Sequence, residues 1–453
     1  MKKLALGLFA FLSSGFVHAE TLNLQQVIDK ALQADPRISE MEAYVAKARA
    51  QQEEVFAKGD IRLTLNSTLG LSPGFKGGVF TQDPCGSSVD CKLRTDRYNY
   101  KKNGLSPWWY MQFALIKPLS SFGKIKNYAI AAKNNIKVKE QDVRLQRGKT
   151  EYDVKRAYFG FLTAHDSRLF LEDVTKRIKD ALETVQKNLD ENNGQSTRSD
   201  LYALQSALGL AQSYLKKAAA LEQIASGGLK VLIGMPLDSQ LQLADTSLQP
   251  VDLPKLELEK LTAKAMADRP EMDQLKHGLV AQDALMRAKK AMQRPNLFTG
   301  VMGTVSYSPL REQKYNPLIY DPFNYFGATP VIGIQWEWEG GVPNAQAKQE
   351  KAELSALMDK NSLAERGIPY EVSEAASQVK AHYDALQDLK FSAKSARRWM
   401  ISLYTEFQAG LKPVDKLVNA FQAYVLTYTD YLQTVYDYNM QVANLEKVIG
   451  DYK

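Results

Sequence analysis

Ile332-Gly333-Ile334-Gln335-Trp336-Glu337-Trp338 alternates apolar and polar side chains one residue at a time, the pattern of a two-faced β-strand. Ile61-Arg62-Leu63-Thr64-Leu65, Met111-Gln112-Phe113-Ala114-Leu115 and Val301-Met302-Gly303-Thr304-Val305 alternate in the same way. A membrane β-barrel needs roughly eight strands to close. Four per chain therefore require partner chains. The helical segments between them are far too long for a compact domain and belong outside the bilayer. Alternation assigns Ile332, Ile334, Trp336 and Trp338 to lipid, with the two Trp near an interfacial belt, and Gln335, Glu337 and Glu339 to a lumen. A soluble sandwich with Trp in its core would need more strands than these.

Lys2 and Lys3 form a charged start, Leu4 to Val17 an apolar run, and Val17-His18-Ala19 a small-x-small cleavage site. Residues 1–19 thus read as a signal peptide, and the mature chain is expected from Glu20. The apolar run falls short of the ~20 residues needed to span a bilayer as a helix. Without Lys2 and Lys3 the formal charge drops from +7 to +5, and nothing points to nucleic acid. The only cysteines, Cys85 and Cys91, sit in a polar, Gly-rich stretch. After export a local disulfide is expected there, with two free thiols as the alternative.

The chain repeats itself. Leu22 and Pro36 match Leu256 and Pro270 at an offset of 234 residues, and Gly194 and Leu232 match Gly410 and Val448 at 216. The offset shrinks because the first half has the longer loop between strands. Residues 20–237 and 255–453 therefore read as two repeats, joined by a Pro-bearing linker, 238–254. Each repeat reads helix, strand, loop, strand, long helix, tight turn, helix. One opening helix is expected from Leu22 to about Lys58, and a long one from Gly123 to Asn192, with a length of roughly 100 Å.

Heptad spacing joins Leu201, Leu204, Leu208, Ala211, Leu215 and Ala218. The equivalent second-half helix carries two adjacent stripes, one through Val418, Phe421 and Val425, the other through Leu417, Ala420 and Tyr424. A helix with two seams has two neighbours, as a stave in a tube has; an ordinary bundle helix with a broad apolar face is the alternative. The fold class read from these features is mostly α with a membrane β-barrel. It combines internal duplication, long antiparallel coiled-coil helices and four β-strands per protomer.

These pieces resemble the TolC-type outer membrane efflux protein family over essentially the whole mature chain. The resemblance rests on the two repeat openings and on Lys117-Pro118-Leu119 with Phe122-Gly123 at one strand exit. Glu339-Gly340-Gly341 at the other exit and the turns Gly194-Gln195-Ser196-Thr197-Arg198-Ser199-Asp200 and Gly410-Leu411-Lys412-Pro413-Val414-Asp415 complete it. Trp336 stands where the family usually has proline. The resemblance implies a homotrimer with a 12-stranded barrel in the outer membrane and a helical α-barrel in the periplasm. It further implies docking to an inner-membrane pump through a periplasmic adaptor (membrane fusion) protein.

No catalytic, cofactor or metal constellation is visible. His165, His277 and His382 lie on separate helices without metal-ligand spacing. At the turns, Gly194 is expected as a left-handed cap and Ser196, Thr197 or Asp200 as the next N-cap or first-turn charge. The family likeness makes Gly194, Ser196, Thr197, Asp200, Gly410, Leu411 and Pro413 adaptor-docking tips. It also places Phe407, Lys412, Asp415, Lys416 and Asn419 at the periplasmic aperture, with Lys416 and Asn419 where acidic rings occur in family members. The aromatic 309–329 loop is expected to narrow the external mouth. The leading function is a passive outer membrane export duct; a structural periplasmic coiled-coil or adaptor protein that crosses no membrane is the alternative.

Overall fold

The structure, a computed structural model, describes residues 21–74, 104–192, 194–311 and 320–452. The expected signal peptide and the Cys85–Cys91 pair lie outside them. Along the chain come β1 (Thr21–Leu22), α1 (Leu24–Ala34), α2 (Pro36–Ala57), β2 (Arg62–Pro73), β3 (Leu105–Ser120), α3 (Lys124–Asp190) and α4 (Arg198–Leu232). They are followed by β4 (Gln242–Leu243), α5 (Leu258–Asp268), α6 (Pro270–Ala291), β5 (Asn296–Tyr307), β6 (Tyr325–Gln335), α7 (Val342–Gln408) and α8 (Val414–Val448). The halves match helix for helix: 11 and 22 residues to open, then 67, then 35.

The single opening helix expected in each half is two. Proline lacks the amide hydrogen a helix interior needs and forces the residue before it out of the helical region. Asp35 and Arg269, each preceding a proline, are accordingly extended, with ψ of 112° and 127°. Pro36 and Pro270 then serve as first residues of α2 and α6, where the missing N–H costs nothing.

Two compact units result, each drawing on both repeats. One takes the chain up to Tyr44, Lys139–Gln274 and the chain from Asn361 onward; the other takes Val45–Val138 and Leu275–Lys360. The first unit holds two apolar cores. One gathers Val27, Ala31, Val154, Tyr158, Leu229, Val372, Leu386, Tyr438 and Leu445. The other joins α3, α4, α7 and α8 through Val174, Val185, Leu204, Met400, Leu417 and Phe421. The heptad stripe of α4 is buried at Leu204, Ala211 and Ala218, and α8 buries residues of both its stripes.

In the same unit the linker is packed, not loose. Its strand β4 pairs in parallel with β1, and Asp245 accepts a 2.6 Å bond from buried Tyr158. Asp166 accepts from the Leu248 amide, and buried Asn439 bonds both Gln249 and Val251.

The second unit holds a four-stranded antiparallel sheet in the order β2-β3-β5-β6. Glycines sit directly opposite aromatic rings on neighbouring strands: Gly70 faces Trp108, Gly303 faces Phe113 and Gly333 faces Phe298. A Cβ at Gly303 would meet the Phe113 ring at 2.3 Å. The missing side chain therefore makes room for the ring, which covers the bare backbone in return.

Candidate functional site

Register partners in an antiparallel ladder share a face, and successive residues alternate. One face of the sheet therefore carries Leu63, Leu65, Phe113, Leu115, Val301 and Ile332, with Ile334 beside them. These side chains are apolar, and Leu65, Ile332 and Ile334 are exposed in the single chain. The other face carries Thr64, Asn66, Gln112, Thr304, Thr329 and Gln335. The strands hold two charged residues, Arg62 and Lys117, at the same end of the sheet. Among the described residues the outer edges of β2 and β6 pair with no other strand. Exposed edges of this length are an invitation to pair with another chain.

The fourth strand stops earlier than its alternation suggested. It ends at Gln335, so Ile332, Ile334 and Gln335 keep strand faces, whereas Trp336, Glu337, Trp338 and Glu339 lie past it. Strand alternation does not orient those four. Trp336 turns its indole N–H back to the Gln293 carbonyl, 3.1 Å away. Both Trp remain highly exposed, beside Gly340 and Gly341, where the chain turns into α7.

The helical turns belong to the first unit. After α3, Asn192 and Gly194 take positive φ, 46° and 75°. Thr197 is the N-cap: its hydroxyl accepts from the Asp200 amide, and the Asp200 carboxylate accepts from the Thr197 amide at 2.8 Å. Ser196 instead accepts a bond from Asn188. After α7, Gly410 has φ 72°, and Leu411 and Gly410 donate back to Glu406 and Phe407 at 2.9 Å each. That pair of bonds closes the helix in a Schellman cap. Pro413 then opens α8 with no side-chain cap.

Of the expected aperture residues, Lys412, Asp415, Lys416 and Asn419 are exposed. Phe407 is not: at 6% exposure it belongs to the second apolar core with Val414 and Leu417. A helix-end aromatic with a hydrophobic cluster beneath it packs inward. Lys416 approaches Asp415 of its own chain at 3.9 Å, both largely exposed.

Sequence reading missed a link between the two helical hairpins. The Tyr404 hydroxyl of α7 reaches Asp180 of α3 at 3.5 Å. Arg177 lies over the Tyr404 ring at 5.7 Å and pairs with Asp173. Phe170 meets Tyr424 edge-on at 5.0 Å. Burial raises the Tyr404 phenol and pushes that of Tyr424 up to about 12, so both stay neutral hydrogen-bonding groups. No local motif announces residues more than two hundred positions apart.

Among the described residues no helix is long and apolar enough to cross a membrane, and no group of His, Cys, Asp or Glu has the geometry to hold a metal ion. His165 bonds Glu222 at 2.6 Å and His277 bonds Asn134 at 3.0 Å.

No family model matches the chain. It is similar to the alkaline protease secretion protein AprF of Pseudomonas aeruginosa, 21% identical over 383 residues that cover 82% of this chain and 76% of that protein. Among solved structures, the Campylobacter jejuni CmeC outer membrane channel superposes with a TM-score of 0.74 at 14% identity, over 95% of this chain and 86% of that one. The outer membrane protein VceC from Vibrio cholerae gives 0.73 at 13% identity, over 94% and 96%. Long antiparallel helices and a short antiparallel sheet are common to all three structures.

Proposed function

From the fold of the TolC-type outer membrane channels, which this chain has, we propose that it is the outer membrane component of a tripartite export system. The observation that carries the reading is the sheet. It has one exposed apolar face, one polar face nearly free of charge, and two unpaired edges. Joining β6 of one copy to β2 of the next closes a barrel, and three copies give twelve strands. Two copies would make eight, whose interior side chains fill. The apolar face then meets lipid and the Thr/Asn/Gln face lines the duct, while the helices extend into the periplasm.

The duct is passive and not an enzyme; its energy comes from an inner-membrane pump reached through a periplasmic adaptor. Gly194, Ser196, Thr197, Asp200, Gly410, Leu411 and Pro413, at the ends of the helical hairpins, are the adaptor-docking tips. AprF is by name a secretion protein, which makes polypeptide export the first cargo to test.

Heat-modifiable trimers in outer membrane fractions, forming conducting pores in planar bilayers, are the expected result. A soluble periplasmic species without pore activity would favour the adaptor alternative.

A further inference from the structure

The strands carry their two charged residues at one end, and the register puts them on opposite faces. Arg62 lies on the polar face, in the row of Ile116. Lys117 lies on the apolar face, in one row with Thr299 and Ile332. One further apolar row, Leu297 with Ile334, separates it from the end of the sheet. A cation on a lipid-facing surface is costly away from the interface. A lysine this near the edge lays its stem along the apolar surface and extends its ammonium to polar headgroups. No carboxylate among the described residues pairs with it.

The helices that adjoin this end of the sheet add more positive charge. Residues 117–138 contain five lysines and no acid. α3 opens with Lys124-Ile125-Lys126 and has no acid in its first turn, where the helix dipole favours an anion and opposes lysine. On α6, residues 276, 280, 283, 287, 290 and 294 form one stripe at 3–4 spacing. It holds Lys276, Arg287, Lys290 and Arg294 against a single acid, Asp283, which is bonded to Arg287. α6 is joined to α3 through His277 and Asn134, and to α7 through Gln282 and Glu350. At about 100° per residue those two seams lie roughly 140° apart, and the basic stripe occupies the wider side. In a closed ring of helices the wider side of each stave faces outward.

Aromatic side chains complete the edge. Trp336 and Trp338 are 65% and 80% exposed. The Trp336 indole bonds the Gln293 carbonyl, which ties it to the segment that carries Lys290 and Arg294. Arg294 donates to the Phe122 carbonyl at 3.1 Å, and so reaches the exit of β3, just beyond Lys117. Neither Lys290 nor Arg294 pairs with a carboxylate among the described residues, Glu337 and Glu339 included. Unpaired cations beside exposed indoles, along the border of an apolar face, match a partner with an anionic head and apolar chains.

We propose that this edge binds the headgroups of anionic phospholipids in the periplasmic leaflet, with Lys117, Lys290 and Arg294 holding the phosphates and Trp336 and Trp338 lying where headgroups meet chains. The proposal rests on the apolar face meeting lipid and the helices extending into the periplasm, as argued above. A zwitterionic lipid offers the same phosphate but cancels its charge with its own amine, so the site discriminates by net charge.

The test mixes purified trimers with detergent micelles containing dioleoylphosphatidylglycerol or dioleoylphosphatidylcholine and counts bound lipid by native mass spectrometry. The unaltered trimer is expected to retain phosphatidylglycerol in preference to phosphatidylcholine. Lys117→Gln, Lys290→Gln and Arg294→Gln together are expected to weaken phosphatidylglycerol binding roughly tenfold or more, since each cation near an acidic surface contributes separately. Lys47→Gln, Lys276→Gln and Lys360→Gln together remove the same charge farther down the helices and are expected to leave binding unchanged. If the first triple fails to assemble, Lys290→Gln, an exposed helix-surface change, is expected to weaken binding by itself and decides. Equal retention of the two lipids, or equal loss from both triples, overturns the headgroup site and leaves the duct intact. Failure of the unaltered protein to form trimers and pores overturns the duct reading itself.

Discussion

Asp35 shows how much a single residue at a helix break can do. It is nearly buried and accepts bonds from the Arg37 amide and guanidinium and from the Thr150 hydroxyl, the last at 2.6 Å. Burial opposes its charge, but the bonds from Arg37 and Thr150 prevail and hold the carboxyl below its ordinary value. A lowered carboxyl contributes stability above its unfolded pKa of about 3.9, and that contribution is lost as pH falls through the lower folded value. Asp35→Asn is therefore expected to lose about 1–3 kcal/mol at neutral pH. Urea unfolding as a function of pH checks this: the gap from the unaltered protein should vanish in acid below the usual carboxylate range. The second repeat builds the same joint with its charges inverted, Arg269 bonding Glu271 and Glu371. Pro36 and Pro270 were read from the sequence as matching positions of the two repeats and not as breaks in the opening helices; Thr150 and Glu371 could not be read at all, being a hundred or so residues from the carboxylate or guanidinium they serve. The loop cysteines were legible only as chemistry. Cys85 and Cys91 are expected to resist alkylation in native exported protein until reductant is added, and because the ring they close is short, reduction should barely alter stability.

At the scale of elements, alternation in short stretches revealed both faces of the sheet, yet ran past the end of β6. Periodicity carries no stop signal; the strand ends where its ladder ends, at Asn296 opposite Gln335. The revealing comparison therefore lies mid-strand. Val301 shares the apolar face with Leu115, and Thr304 the polar face with Gln112. Val301→Arg is expected to place a charge in lipid at a cost of roughly 2–4 kcal/mol near the midplane, whereas Thr304→Arg meets water and is tolerated. Trimer yield on unheated gels reads the difference, and equal yields would reverse the assignment of faces. The α4 and α8 helices were legible in kind and length because heptad stripes persist over many turns, whereas the opening helices were not, and the N-cap of α4 was legible as a choice among three residues. Thr197 is the one that bonds the first turn. Thr197→Ala should cost about 1 kcal/mol, seen as faster amide exchange confined to the start of α4, while Ser196→Ala should leave that exchange unchanged.

At the scale of the whole molecule, a duct that leads outward must be shut at rest or the cell leaks. The second-repeat hairpin ends in Lys412, Asp415, Lys416 and Asn419, all exposed, over a core that keeps Phe407 inside. If these hairpins converge on a threefold axis, three Lys412 and three Lys416 repel unless carboxylates intervene. Asp415 is the acid at hand, and within one chain it meets Lys416 only at 3.9 Å and in open solvent. A carboxylate so loosely held at home is free to bridge to the Lys412 or Lys416 of a neighbouring copy. Each such exposed pair contributes only about 0–1 kcal/mol, but three act on one opening motion. Asp200, at the matching hairpin of the first repeat, is instead committed to its capping box with Thr197. Asp415→Ala is therefore expected to raise single-channel conductance and sensitise cells to large antibiotics, and Asp200→Ala to do neither while loosening α4. The contrast between the two variants is the measurement. Equal leakage from both, or from neither, would move the gate away from Asp415, with the Tyr404–Asp180 link between hairpins as the next place to cut.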